Sequence, residues 1–322
     1  MNERLEYIDL LKGVGIILMI MGHIIFLDSF QMYIHMFHMQ LFFFISGYLF
    51  KEKIFYVGYF FWGKVRSLLV PYFVFGFFHL CLKLILIFYR NDSYIQPFYQ
   101  LFWCNTGEFP IAGALWFLTA LFWMQIIYFF TICVDMKFVR LILILGIIIL
   151  GMIVSKVCRL PLGIDISMVC LGFMYCGELL KENINIPKQS IFKAIVVLAV
   201  GFYLGFLNGN VNVREAVYGN ILLFYFCAVS ICYSLLVLSY KLLLMFRNFW
   251  IMDIFIFIGK RSIIFLAFNQ LLVWAPNRIL SSYSGGLLYV GYILTLVITV
   301  LALYALAKLF DNHIILRRLI SK

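Results

Sequence analysis

At 322 residues, 65% of them hydrophobic and 12% charged, with a mean hydropathy of +1.05, the chain falls outside the soluble globular class, in which about a quarter of residues carry charge. Its net charge of +11 and isoelectric point near 9.2 do not require nucleic acid as a partner. Eighteen basic residues fall in segments on one side of the predicted spans and five on the other, the asymmetry of a polytopic protein in a lipid bilayer.

Apolar runs of about 17–25 residues predict ten spans, at 8–27, 34–50, 67–89, 111–132, 138–155, 164–180, 190–207, 217–240, 261–277 and 286–309. The expected fold is an all-α, polytopic transmembrane helical bundle of about ten spans, one membrane-embedded domain over 1–322 with no separate soluble domain. An even number of spans puts both termini on one side, and the basic excess makes that side the cytoplasm. The first run lacks a small-residue cleavage site at its end and reads as a retained helix.

In that first span Lys12 and His23 are eleven residues apart, which is three helical turns plus about 20°. One face carries both, separated by a rise of about 16 Å. Ionisable groups inside a membrane helix cost about 2.5–3.5 kcal/mol each on insertion scales, so they are candidates for function. Two readings fit Lys12: a stem that snorkels to the interface, or a cation at the mouth of a polar track. Asp9, one turn earlier, either pairs with Lys12 or sits at the positive end of the helix dipole.

A short polar turn, Asp28-Ser29-Phe30-Gln31, is expected to return the second span beside the first, which sets His35 and His38 at the depth of His23. Three of the five histidines then converge on one level. Imidazole is a common transition-metal ligand, yet no carboxylate or thiolate lies beside the pair and zinc takes three or four protein ligands. No metal is expected, and proton transfer suits the cluster better. Ser46, over two turns beyond His38, is a weaker nucleophile candidate than a packing residue.

Further along, Trp116 is expected near the outer end of the fourth span, at the level of His23, and Trp123 in the interfacial aromatic belt. Cys104 and Cys158 fall on predicted outside loops, and sequence leaves their pairing open. The short mixed stretch from Phe249 to Phe255 is expected along the interface. Asn269 and Gln270, mid-span in the ninth run, each need a polar partner, whether a neighbouring helix or a substrate.

Arg4-x4-Asp9-x2-Lys12-Gly13, the Lys12-x10-His23 spacing, Phe37-His38-Met39-x-Leu41-Phe42-Phe43-Phe44-Ile45-Ser46-Gly47-Tyr48, Gly113-x-Leu115-Trp116-Phe117-Leu118 and Ile258-Gly259-Lys260-x-Ser262 together resemble the acyltransferase 3 family of integral-membrane O-acyltransferases, in particular its fucose 4-O-acetylase and polysaccharide O-acetyltransferase branch. The resemblance implies transfer of acetyl from acetyl-CoA, a donor substrate and not a bound cofactor, to a hydroxyl of a cell-surface polysaccharide or polyprenyl-linked glycan at a bacterial inner membrane. His23 then fits as base or transient acyl carrier and His38 as orienter or acid. Lys12, held by Asp9, suits the phosphates of an acyl-CoA, with Arg4, Lys64 and Arg66 on the same side. His35, Trp116 and Asn269 shape the site. Where many members carry a histidine this chain has Asn269-Gln270, so that position implies hydrogen bonding and not acid–base work.

A transporter or flippase is the rival from another class, with Lys12 and His23 binding an anionic or glycan substrate or relaying protons. The lack of a repeat of fixed period weighs against an inverted-repeat transporter.

Overall fold

The computed structural model of the protein describes residues 5–24, 28–50, 56–90, 95–104, 106, 113–280 and 286–313. Arg4, Lys51, Lys53, Arg317, Arg318 and Lys322, counted above among the basic anchors, lie outside the described residues. Among those described, secondary structure is helical apart from one isolated antiparallel bridge, between Asn212 and Val217.

The first helix, α1 (Glu6–His23), is the axis of the bundle. Leu11, Ile16 and Ile20 on it are fully buried, and it packs against α3 (His38–Tyr48), α11 (Ile221–Phe246), α12 (Trp250–Lys260) and α13 (Ser262–Leu280). A helix carrying Glu6, Asp9 and Lys12 has to be surrounded by protein if its charges are to stay out of hydrocarbon. The α12 helix runs antiparallel to it at very short range. A Cβ added to Gly13 would strike the backbone of Phe255, and one added to Gly259 would strike the carbonyl of Asp9.

A second crossing of the same kind joins α3 to α9 (Ile164–Asn183), where Gly47 abuts the Met174 carbonyl and Gly177 the Phe44 carbonyl. Such small-residue contacts let helices associate where lipid offers no hydrophobic drive. Around this centre lie α7 (Trp116–Ile132), α8 (Lys137–Val157), α10 (Ile191–Asn208) and α14 (Gly286–Asn312). Only 17% of the α8 and α10 spans is buried, against 72% of the span containing α9, so α8 and α10 turn apolar residues such as Ile149, Ile153, Ile195 and Tyr203 outward.

The end of the bundle that holds the start of α1 is laced by polar pairs. Arg247 bonds Glu6 and Asp253, each at 2.9 Å. Arg140 bonds Glu178 at 2.5 Å and the Tyr128 hydroxyl at 2.7 Å, and that hydroxyl donates to Glu178. Arg261 pairs with Asp311 at 2.6 Å.

Several expectations change. Among the described residues, seven helices are long and apolar enough to cross a membrane, against ten apolar runs, because α1 carries three charged residues, α7 has seventeen residues and the 34–50 run is not one helix. The expected turn at Asp28–Gln31 is the start of α2 (Asp28–His35), and the chain breaks at Met36–Phe37 before α3 begins. In the third run the helix starts earlier, as α4 (Val57–Lys64), and passes through a π turn at Val65–Leu69 into α5 (Val70–Arg90). Pro71 explains the widening, since proline supplies no N–H and its ring crowds the carbonyl four residues back. Inside the expected 90–110 loop lies α6 (Ile95–Phe102), anchored where Tyr72 donates to the Leu101 carbonyl at 2.6 Å. The interfacial stretch is the beginning of α12, exposing Trp250 and Ile251 while its other face lies on α1. Cys104 and Cys158 are both free thiols.

The glycine crossings give a direct test. Gly47→Leu and Gly177→Leu should each destabilise the bundle by about 1–3 kcal/mol, the usual range for overpacking, seen as a lower melting temperature in detergent. Gly146→Leu, where an added Cβ meets nothing within 4 Å, should melt like the parent.

Candidate functional site

His23 ends α1, and its surroundings are set by α13. The Asn277 side-chain amide donates to the His23 carbonyl at 2.8 Å, satisfying a carbonyl the helix end leaves free. The Gln270 amide nitrogen lies 3.2 Å from His23 Nδ1 and 3.4 Å from Nε2. An amide N–H donates to whichever ring nitrogen lacks a proton, so the other nitrogen is held as an N–H donor.

The break between α2 and α3 does the corresponding work for His38. In a continuous helix the Ile34 carbonyl would accept the backbone N–H of residue 38. Here it accepts the Phe37 N–H at 3.3 Å and remains open to the buried His38 ring, whose Nδ1 lies 2.8 Å away. A carbonyl only accepts, so Nδ1 carries the proton and Nε2 keeps the lone pair. The fully buried Gln40 bridges the break by donating to the His35 carbonyl at 3.3 Å. His35 and His38 face each other with ring centroids 5.3 Å apart. Gly22 on α1 faces the pair, and a Cβ there would sit at ordinary contact distance, 3.8 Å from His35 Nε2.

These histidines line one cavity of about 180 Å³. Met19, Met39 and the buried Trp116 form an apolar wall. A further part of the lining is a hairpin between α10 and α11, closed by the Asn212–Val217 bridge, which contributes Asn212, Val213, Arg214 and Glu215. Ala216 in its turn adopts a left-handed φ of 59°, at a cost of roughly 1–2 kcal/mol for an L-residue. The tip is tied down nonetheless: Arg159 donates to the Arg214 carbonyl at 2.6 Å and pairs with the buried Asp165 at 3.2 Å, while Arg214 Nε donates to the Thr106 carbonyl at 2.9 Å.

Of the residues singled out from sequence, the structure brings His23, His35, His38 and Trp116 around this cavity. Lys12 and Asp9 sit 3.9 Å apart near the other end of α1 and do not line it. Asn269 turns its amide back onto the Phe265 and Leu266 carbonyls of its own helix at 3.0 and 2.8 Å, so Gln270 is the member of that pair that faces His23. Arg214, Glu215, Gln40 and Asn277 are further site residues that sequence reasoning did not single out. A readable signal existed for α2, because Asp28-x-x-Gln31 has the spacing of a capping box that starts a helix. Among the described residues, no group of three or more His, Cys, Asp or Glu side chains is gathered as a metal ligand set.

A family model, acyltransferase 3, described as an acyltransferase domain, matches residues 5–308. No curated protein and no solved structure matches the chain.

The tautomer of His38 can be measured. With ¹⁵N-labelled histidine, His38 should give a protonated Nδ1 and an unprotonated Nε2 signal at neutral pH. A signal of the opposite tautomer would show that the Ile34 carbonyl does not hold the ring.

Proposed function

Since the chain belongs to the acyltransferase 3 family and is a membrane acyltransferase, we propose that it is an O-acetyltransferase. It takes acetyl from cytosolic acetyl-CoA and passes it to a hydroxyl of a cell-surface or polyprenyl-linked glycan at a bacterial inner membrane. The single observation that carries the reading is the complementary pair of rings in one cavity, His38 with a free Nε2 lone pair and His23 with a ring N–H left by Gln270.

In this reading ten helical segments cross the bilayer, with α1, α2–α3 and α7 joining the seven longer ones, and both termini lie in the cytoplasm. The ion-paired end of the bundle, rich in Arg and Lys, is the inner side, and the histidine cavity lies towards the outer side. The Lys12 ammonium, held near Asp9, marks the inner mouth for the phosphates of the donor. From there an extended thioester arm reaches along α1 towards His23, a rise of about 16 Å. A cavity of about 180 Å³ is smaller than a drug-sized site of roughly 300–1,000 Å³. It suits an acetyl group and one hydroxyl-bearing ring, with the rest of each substrate outside.

The chemistry follows from the two rings. The acceptor hydroxyl oxygen attacks the thioester carbonyl while His38 Nε2 takes its proton. The tetrahedral oxyanion accepts a hydrogen bond from the His23 N–H. Collapse breaks the carbon–sulfur bond, and the departing thiolate takes the proton from His38. In the competing version His23 itself is acylated and passes the group on.

Substitutions separate these versions. His38→Ala should lower turnover by about 10²–10⁴-fold, the range for a lost general base. His23→Ala should lower it by about 10²–10³-fold, as for a lost oxyanion donor, with membrane insertion intact. His23→Asn, which keeps an N–H donor, should retain at least ten times the activity of His23→Ala, whereas an acyl carrier would be equally dead in both. Lys12→Ala should raise the KM for acetyl-CoA and Lys12→Arg should recover part of it. Full glycan acetylation by both His23→Ala and His38→Ala proteins would leave a transporter as the better reading.

A further inference from the structure

The hairpin over the cavity is a built wall. Its base is fixed by Asn208, whose amide donates to the Tyr218 carbonyl at 3.0 Å and whose Oδ1 accepts the Asn220 N–H at 2.7 Å. Its tip is fixed by Arg159 and by the Thr106 carbonyl. Arg214 also reaches the catalytic side of the cavity. At Gly113 an added Cβ would lie 2.8 Å from Gln270 Oε1 and 3.1 Å from Arg214 Nη1, so the guanidinium and the amide that holds His23 meet over a residue with no side chain.

Resting on the reading of the site as a glycan O-acyltransferase, we infer that Arg214 and Glu215 form the acceptor subsite and select an uncharged sugar ring. A guanidinium only donates hydrogen bonds and a carboxylate only accepts them, whereas a hydroxyl does both. Two neighbouring hydroxyls of a neutral ring can therefore donate to Glu215 and accept from Arg214 together. The carboxylate of a uronic acid or a phosphate group can satisfy Arg214 but meets like charge at Glu215, and an amino sugar with a free ammonium meets like charge at Arg214. The apolar part of the lining fits the same ligand, because Trp116, Met19 and Met39 offer an aromatic and apolar surface for the C–H face of a sugar.

The test uses the full-length protein in lipid nanodiscs, ¹⁴C-acetyl-CoA, and envelope glycans of the source cells. The glycans are stripped of ester groups by mild alkali and separated on an anion exchanger into neutral and anionic fractions. The wild-type protein should place at least ten times more label in the neutral fraction than in the anionic one. Glu215→Lys should lower that ratio at least tenfold, with Glu215→Gln between the two. Arg214→Gln should raise the neutral-glycan concentration needed for half-maximal rate by about tenfold. Melting curves identify any variant that fails to fold, and a ratio that moves in a folded Glu215→Gln alone sustains the inference. Label predominantly in the anionic fraction, or a ratio that neither Glu215 variant moves while transfer continues, overturns it. Transfer to neither fraction by the wild-type protein overturns the glycan O-acyltransferase reading itself, and the acceptor subsite with it.

Discussion

A helix that carries Glu6, Asp9 and Lys12 and ends on His23 cannot face hydrocarbon, where each charged group costs about 2.5–3.5 kcal/mol. The rest of the bundle is arranged to enclose it. Helices α3, α11, α12 and α13 surround α1, and the approach of α12 is close enough that Gly13 and Gly259 have no room for a Cβ. The far end of the same helix carries the site. Gly22 and His23 line the cavity together with His35 of α2. The helix whose charges the bundle encloses thus also supplies part of the site's lining.

The chemistry of the site depends on where regular structure stops. A continuous helix from Asp28 to Tyr48 would give the Ile34 carbonyl the N–H of residue 38. At the Met36–Phe37 break it takes the Phe37 N–H instead and also meets the His38 ring, fixing which nitrogen holds the proton, and Gln40 satisfies the His35 carbonyl that the break exposes. Polar groups freed inside a membrane protein need such partners. On the His23 side the same role falls to side chains of α13, with Asn277 on the backbone and Gln270 on the ring. A backbone carbonyl at a helix break and a side-chain amide on α13 thus set the hydrogen-bonding characters of two histidines that share a space.

The all-helical membrane class was legible from hydropathy, and the convergence of His23, His35 and His38 was legible from their placement around a short connection. The path to that convergence was different from the one periodicity suggests. Run counting treats 34–50 as one span, because Met36 and Phe37 are apolar and nothing in their side chains signals a break. The helical start at Asp28 was readable as a capping box, yet a four-residue segment with three polar side chains between apolar runs also fits a turn. Asn269 and Gln270 are adjacent and chemically alike, and only the rotation of α13 decides which one faces His23. Arg214 and Glu215 belong to a loop whose approach to α1 is a long-range contact that local pattern does not encode. The α1 helix shows the limit of hydropathy from the other direction, since the charges that make it central also keep it off a count of apolar spans.

The central claim is that one histidine cavity joins a donor from the inner side to an acceptor on the outer side. Sealed vesicles of inner-side-in orientation, loaded internally with ¹⁴C-acetyl-CoA, test it in one measurement. The account predicts alkali-labile label on externally exposed glycan, lost in His38→Ala vesicles that contain equal amounts of protein. Label that appears only when acetyl-CoA is supplied outside, or equal labelling by the His38→Ala protein, would contradict it.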